Sequence, residues 1–484
     1  MLTLSEKALI FFSLTITIGI FFLINNQTNF SKGIKFFSRL RLISLISPWI
    51  IIFAFLFFEI ELSLINIFLI LLPSSLSYIY ISQLIKRKQE EKLKEDDLLQ
   101  VKLDSNKNAN GSLIISQDLL IMKNIFSIDT FFSTESIPYE EGIIFRGNLR
   151  GDPDATYKLL SSKLRTHFDE KYCLFLVEGN EGKPVVIVLP NTNNHKAMTT
   201  LQKNLAIVLF LATVVTSLEK TSILLGFDLF DNWNRFHEVI PITLALWIII
   251  AFHEIGHLLV ASFYNIKLSW PFFLPIWEIG SFGAITRFES LIPNRKTLFD
   301  ISFAGPAFSG IISIVLLVCG LIFSHPGSLL QMTTQSFQKS ILISVLAKFI
   351  LGDQLKNSII DINPLFIIGW LGLIITALNL MPAGQLDGGR ILQSIYGRET
   401  VRKSTIITLI ILGIVTILNP TNPIPLYWIM FILFLQRDTE KPSLNELTEP
   451  NNIRAILALI SISIMLLILM PLNSLLVESL GMGG

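Results

Sequence analysis

The chain has 484 residues, of which 51% are hydrophobic and only 15% charged. Ordinary soluble proteins carry about 25% charged residues, so this balance excludes a simple soluble domain and points to a protein that crosses a membrane repeatedly. The formal net charge is +1, which implies no polyanionic partner, nucleic acid included.

A spanning helix needs about 20 mostly apolar residues. In chain order the predicted spans are 8–25, 42–58, 62–84, 204–226, 239–264, 300–323, 365–382, 404–419, 424–436 and 454–476. The first has no basic leader and no small-residue cleavage site, so it reads as a retained helix. Only "EIE" separates the second and third spans, and "NPTNPIP" separates 404–419 from 424–436; both pairs read as hairpins. The segment "ILISVLAKFILG" (341–352) is too short to cross and reads as interfacial or packed on the bundle. With these spans, the basic clusters at Lys32–Arg41, Lys86–Lys88, Lys267–Lys296, Arg390–Lys403 and Arg437–Lys441 all fall on one side, expected to be cytoplasmic.

Residues 86–200 differ in character. The run "KRKQEEKLKEDD" reads as a solvated helix or linker, and "YKLLSSKL" has helical spacing. "YCLFLV" and "PVVIVLP" flank "EGNEGK", the pattern of a β-hairpin. The expected fold is therefore an α-helical polytopic membrane protein of about ten transmembrane helices with a small inserted cytoplasmic α+β domain. Its expected parts are a three-helix membrane extension (1–85), the α+β domain (86–200), a membrane core (201–436) and a linker with a last transmembrane helix (437–484). Cys173 and Cys319 lie in unlike surroundings and read as plain thiols, not a disulfide.

Within span 239–264 stands "HEIGH". On a helix, positions i and i+4 share a face, so His253 and His257 can grip one metal ion from adjacent turns. Glu254 is turned about 100° round the axis, within reach of water held there. An acidic side chain at a helix centre costs roughly 2.5–3.5 kcal/mol in membrane, which sharpens the functional reading. The bland readings are a buried His/Glu cluster satisfied by neighbouring helices, or a proton relay.

Zinc accepts imidazole nitrogen and needs a third protein ligand when one position stays open for water. Glu278, Glu289 and Asp300 flank a polar loop and read as solvated. Asp387 stands apart, in "NLMPAGQLDGGR". Pro382 ends or kinks the preceding helix, and three glycines allow tight turns beside the carboxylate. Irregular backbone at membrane depth is tolerated only where it is buried in protein or lines a cavity.

"HEIGH" followed by Asn379, Pro382, Leu386, Asp387 and Gly388 resembles the site-2 protease family of intramembrane zinc metalloproteases. "GSFGAITRFESLIPNRKTLFDISFAGP" and "FRGNLRG" are similar to its cyanobacterial and plastid branch. The resemblance covers about residues 140–436 and leaves the first three spans outside. It implies zinc held by His253, His257 and Asp387, and hydrolysis of peptide bonds in membrane protein substrates within the lipid bilayer. The membrane it implies is a bacterial inner or thylakoid one. Glu254 would act as general base. Asn379 is a candidate to orient substrate or stabilise the oxyanion, or else a helix–helix hydrogen bond. "GSFGAITRF" reads either as a hairpin that adds a strand of substrate or as a plain loop. "FAGPAFSG" is expected at a helix start, for close packing, and "RGNLRG" as a turn, with a phosphate nest as the lesser reading. The competing functions are a catalytically silent chaperone or scaffold of the same fold, and an ion or proton transporter.

Overall fold

The computed structural model describes residues 112–473 apart from 128, 140, 141, 180, 181, 192–197, 277, 436 and 437, with isolated positions between 36 and 85 and residue 477. The first three predicted spans and the charged run after them lie outside this range or are described only at scattered positions. The chain divides into two compact units. One is Met1–Ile121 with Thr200–Val208 and Leu412–Leu433; the other is Met122–Thr199 with Leu209–Ile411 and Phe434–Gly484.

Alternating apolar residues build a sheet in the second unit. Its strands are β1 (Phe131–Tyr139), β2 (Gly142–Leu149), β3 (Tyr172–Glu178) and β4 (Pro184–Pro190), all antiparallel in the order β1-β2-β4-β3. The β3–β4 hairpin is the one expected from "EGNEGK". Helix α1 (Ser112–Ile125) precedes the sheet, and α2 (Pro153–Phe168) joins β2 to β3. Asp152 caps α2 by accepting from Ala155 N at 2.9 Å, with Pro153 at its first position. Phe131, Phe145, Leu160, Leu176 and Val186 are buried between helix and sheet.

"RGNLRG" corrects the expectation of a turn: Arg146–Leu149 belongs to β2 and pairs with β1. The glycine serves close strand approach instead. A Cβ on Gly147 would lie 2.2 Å from Phe132 O, beside a register shift between Ser133 and Glu135.

Then come α3 (Thr200–Leu224), α4 (Phe236–Phe263), the β5–β6 hairpin (Phe272–Ile276 and Gly280–Ile285) and α5 (Arg295–Ile322). A second small hairpin, β7 (Leu330–Thr333) with β8 (Ile359–Ile362), encloses α6 (Thr334–Phe337) and α7 (Ile341–Leu351). The chain continues as α8 (Pro364–Asn379), α9 (Asp387–Tyr396), α10 (Arg398–Leu418), α11 (Ile424–Leu435) and α12 (Asn452–Leu469).

Among the described residues five helices are long and apolar enough to cross a membrane: Thr200–Leu224, Trp233–Phe263, Arg295–Ile322, Arg398–Leu418 and Asn452–Leu469. Pro364–Asn379 and Ile424–Leu433 are apolar but shorter. The exposed faces fit lipid. On α10, Ile406, Ile410, Ile414 and Ile417 are exposed, and on α12 Ile453, Ile456 and Leu459. Water would penalise such stripes, while hydrocarbon accommodates them. The short α7 buries Ile343, Ser344 and Ala347 and packs on α5 and α12.

"FAGPAFSG" is not a helix start. Helix α5 begins at Arg295, where the Asn294 side chain accepts from Thr297 N at 2.9 Å, so Gly305 and Gly310 lie well inside it. Helix α8 does end where Pro382 was expected to stop it. Residues 380–386 form turns before α9.

Candidate metal and catalytic site

Helices α4, α5 and α8 pack on one another, with α9 against α5. Small residues set these approaches. A Cβ on Gly256 would lie 2.8 Å from Ala304 O, so α4 and α5 meet nearly backbone to backbone. At Gly388 it would lie 1.9 Å from Leu380 O, so the 380–386 turns fold directly onto the start of α9.

This packing brings His253, His257 and Asp387 together. Their ligating atoms lie within 4.8 Å of one another, and all three side chains are buried. His253 Nε2 lies 3.1 Å from Asp387 Oδ2, and His257 Nε2 lies 3.2 Å from His253 Nε2 and 3.4 Å from the same carboxylate oxygen. Asp387 is the first residue of α9, where the helix dipole favours a carboxylate.

The outer ring nitrogens decide what the inner ones can offer. His257 Nδ1 donates to Ile301 O at 2.7 Å, because a carbonyl can only accept. His253 Nδ1 meets Ser309 Oγ at 3.0 Å. The Ser309 hydroxyl also lies 3.1 Å from Gly305 O and 3.0 Å from Thr376 Oγ1, and donating to either leaves its oxygen free to accept from His253 Nδ1. In neutral imidazoles both Nε2 atoms then present lone pairs to each other and to a carboxylate. Three converging electron-pair donors with outer hydrogen bonds to orient them are the arrangement of a metal-binding centre, and the set suits zinc.

Glu254 is 6% exposed, and among the described residues neither of its carboxylate oxygens has a hydrogen-bond partner. A buried acid left unsatisfied is costly unless water or a reacting group completes it. Asn379 is also buried, and its Nδ2 has no hydrogen-bond partner among the described residues. It faces the hairpin: a Cβ on Gly283 of β6 would stand 3.2 Å from that nitrogen. The β5–β6 pair is formed as an antiparallel hairpin rather than a plain loop.

The other acids weighed as ligands are elsewhere. Asp300 accepts from Tyr264 Oη at 2.6 Å and from Arg454 Nε and Nη2 at 2.8 and 2.6 Å. Glu289 accepts from Met198 N at 3.1 Å, and Glu278 is outside the cluster. Sequence reasoning missed Ser309 and the part played by Gly305. A serine inside an apolar helix usually bonds its own i−4 carbonyl, so nothing local singles it out. Cys173 and Cys319 are both free thiols, as expected.

Comparison with known proteins agrees with this geometry. Residues 120–196 match the "EGY3 middle domain" family model, and residues 241–419 match "Peptidase family M50". The chain is 38% identical over 340 residues to "Probable zinc metalloprotease EGY2, chloroplastic" of Oryza sativa subsp. indica, covering 69% of this chain and 62% of that protein. It is 35% identical over 360 residues to the Arabidopsis thaliana protein of the same name, covering 73% and 64%. With "Probable zinc metalloprotease EGY1, chloroplastic" of Arabidopsis thaliana it shares 33% identity over 401 residues, covering 75% and 73%. The chain thus spans a little under two thirds of the length of the EGY2 relatives. No solved structure matches it. The chain therefore belongs to peptidase family M50, in the branch that contains the plastid EGY proteins.

Proposed function

We propose that this protein is a zinc-dependent intramembrane endopeptidase that hydrolyses peptide bonds in or near transmembrane segments of membrane proteins. The observation that carries this reading is the convergence of His253, His257 and Asp387 beside the unpartnered Glu254 carboxylate, within helices suited to lipid. The relatives named zinc metalloproteases support zinc as the ion, and the word chloroplastic in their names supports a plastid-type membrane.

Zinc held by these three ligands would supply a Lewis acid that makes water nucleophilic near neutral pH. With Nδ1–H directed at Ser309 Oγ and Ile301 O, His253 and His257 would each turn the Nε2 lone pair toward the metal. Glu254 takes a proton from the attacking water onto one carboxylate oxygen and passes it to the leaving amine nitrogen as the C–N bond breaks. Asn379 Nδ2 donates to the carbonyl oxygen of the scissile bond as charge builds there. An unwound substrate segment pairs with the β5–β6 hairpin, which would hold the bond extended. Intact ligands and an unsatisfied general base favour this reading over a silent scaffold, since a scaffold has no use for an orphaned buried carboxylate.

The test is metal content and cleavage of a model transmembrane substrate, measured on the same samples of wild type and His257→Ala. One zinc per wild-type chain with cleavage, and loss of both in the variant, is expected. Cleavage by metal-free protein would overturn the proposal.

A further inference from the structure

Arg390 lies one turn after Asp387 on the ten-residue helix α9 and is 4% exposed. It does not contact the ligand cluster. Its Nε donates to Glu440 Oε2 at 3.0 Å, and its Nη2 lies 2.9 Å from the same oxygen and donates to Thr286 O at 3.0 Å. Its guanidinium also lies over the Phe288 ring, 4.8 Å from the centroid. Thr286 directly follows β6. One side chain therefore joins the helix that carries Asp387 to the end of the hairpin and to the segment 438–448.

That segment is a strap rather than a slack connection. Gln393, on the same face of α9, grips the backbone of Glu440 from both sides: Gln393 Nε2 donates to Glu440 O, and Glu440 N donates to Gln393 Oε1, each at 3.0 Å. Farther on, Leu444 N donates to Ile292 O (2.8 Å) and Asn445 N to Pro293 O (3.0 Å), just before α5. Leu176 N donates to Leu444 O (2.8 Å) and Glu446 N to Leu176 O (2.9 Å), extending the sheet at the outer edge of β3. Arg295 Nε closes the other end of α9 by donating to Ser394 O at 2.7 Å.

A buried Arg–Glu pair adds little net stability over apolar residues of the same size. Its use here is placement. The Asp387 carboxylate sits at the very start of α9, so a small rotation of that helix would take it out of reach of the histidines. The bonds from Arg390 and Gln393 oppose that rotation from the turn next to the ligand.

We infer that Arg390 is a positioning residue for Asp387: held by Glu440 of the strap and by Thr286 O, it sets the orientation of α9 and thereby the affinity of the ligand cluster for its metal. The inference rests on the metalloprotease reading above. Lysine at 390 keeps the charge but lacks the planar fork that reaches Glu440 and Thr286 together.

The experiment measures Zn²⁺ affinity by chelator competition and the visible spectrum of the Co²⁺-loaded full chain, with unfolding of the metal-free form as a control. Arg390→Lys and Glu440→Gln should each weaken zinc binding roughly 10–100-fold and shift the cobalt bands, beyond what any fall in metal-free stability accounts for. Arg398→Lys alters the strap's Arg398–Glu446 ion pair, past the end of α9 opposite Asp387, and should leave affinity unchanged. In an Asp387→Asn background, Arg390→Lys should cost much less, because the two act through one ligand. Wild-type affinity and spectrum in Arg390→Lys, or fully additive losses in the double variant, would overturn the inference. So would a fall in metal-free stability that accounts for the whole loss; if Arg390→Lys does not fold, Glu440→Gln makes the same comparison. A wild-type chain that binds neither ion would overturn the metal reading itself.

Discussion

A Cβ placed on Gly305 would stand 2.2 Å from Nε2 of His257. Glycine at 305 is therefore part of the candidate site: helix α5 passes so close to the Nε2 edge of the imidazole that no side chain fits between. Gly305→Ala should displace the His257 ring and sharply reduce zinc uptake, in contrast to Gly310→Ala, whose Cβ would meet only Thr376 at an ordinary 3.8 Å. Zinc content of the two purified variants checks this, and full occupancy in Gly305→Ala would count against it.

Glu254→Gln should keep the metal, since Glu254 is not one of the three converging ligands. Cleavage should fall by at least about 10²-fold, because an amide cannot take the water's proton. Activity and zinc content are to be read on the same samples. Near-normal cleavage with full metal would remove Glu254 from the mechanism.

Asp387→Ala should lose metal as fully as His253→Ala does. The Asp387 carboxylate is the acidic member of the cluster, and no other acid among the described residues joins it. Equilibrium dialysis against zinc is the measurement. Unchanged affinity would mean that the third ligand lies elsewhere.

Ser309→Ala removes the partner of His253 Nδ1 without touching a ligand. Loss of such an outer hydrogen bond typically costs 10–100-fold in metal affinity or activity, so a loss of about tenfold is expected. Ser313→Ala, which removes only a bond to the helix carbonyl Ser309 O, is the control and should bind zinc normally. Equal affinity in both variants would assign Ser309 to helix packing alone.

Topology can be checked on the exposed face of α2. Thr166→Cys, in a chain with Cys173 and Cys319 replaced by serine, should be labelled only from the side that carries the basic loops. Labelling from the opposite side would invert the expected orientation of every helix.

The members of the candidate site were legible in the sequence because each sits in a local pattern. The i, i+4 spacing of His253 and His257 is a property of one helix, and Pro382 and Gly388 mark the break beside Asp387 within a few residues. The β3–β4 hairpin and the long apolar helices were likewise visible, since period and turn composition need no partner. "RGNLRG" misled for the same reason: its glycines look like a turn until β1 is seen to press on Gly147. What only the tertiary structure decided involves residues far apart in the chain. His253 meets Asp387 across 134 positions, and Ser309 meets His253 across 56. Arg390 finds Glu440 across 50, in a stretch whose composition marks it only as a connection. Such contacts depend on how closely α4, α5 and α9 approach. That approach is set by the absence of side chains at Gly256 and Gly305, where α4 meets α5, and at Gly388, where the 380–386 turns meet α9, and an absent side chain carries no sequence signal of which surface will fill its space.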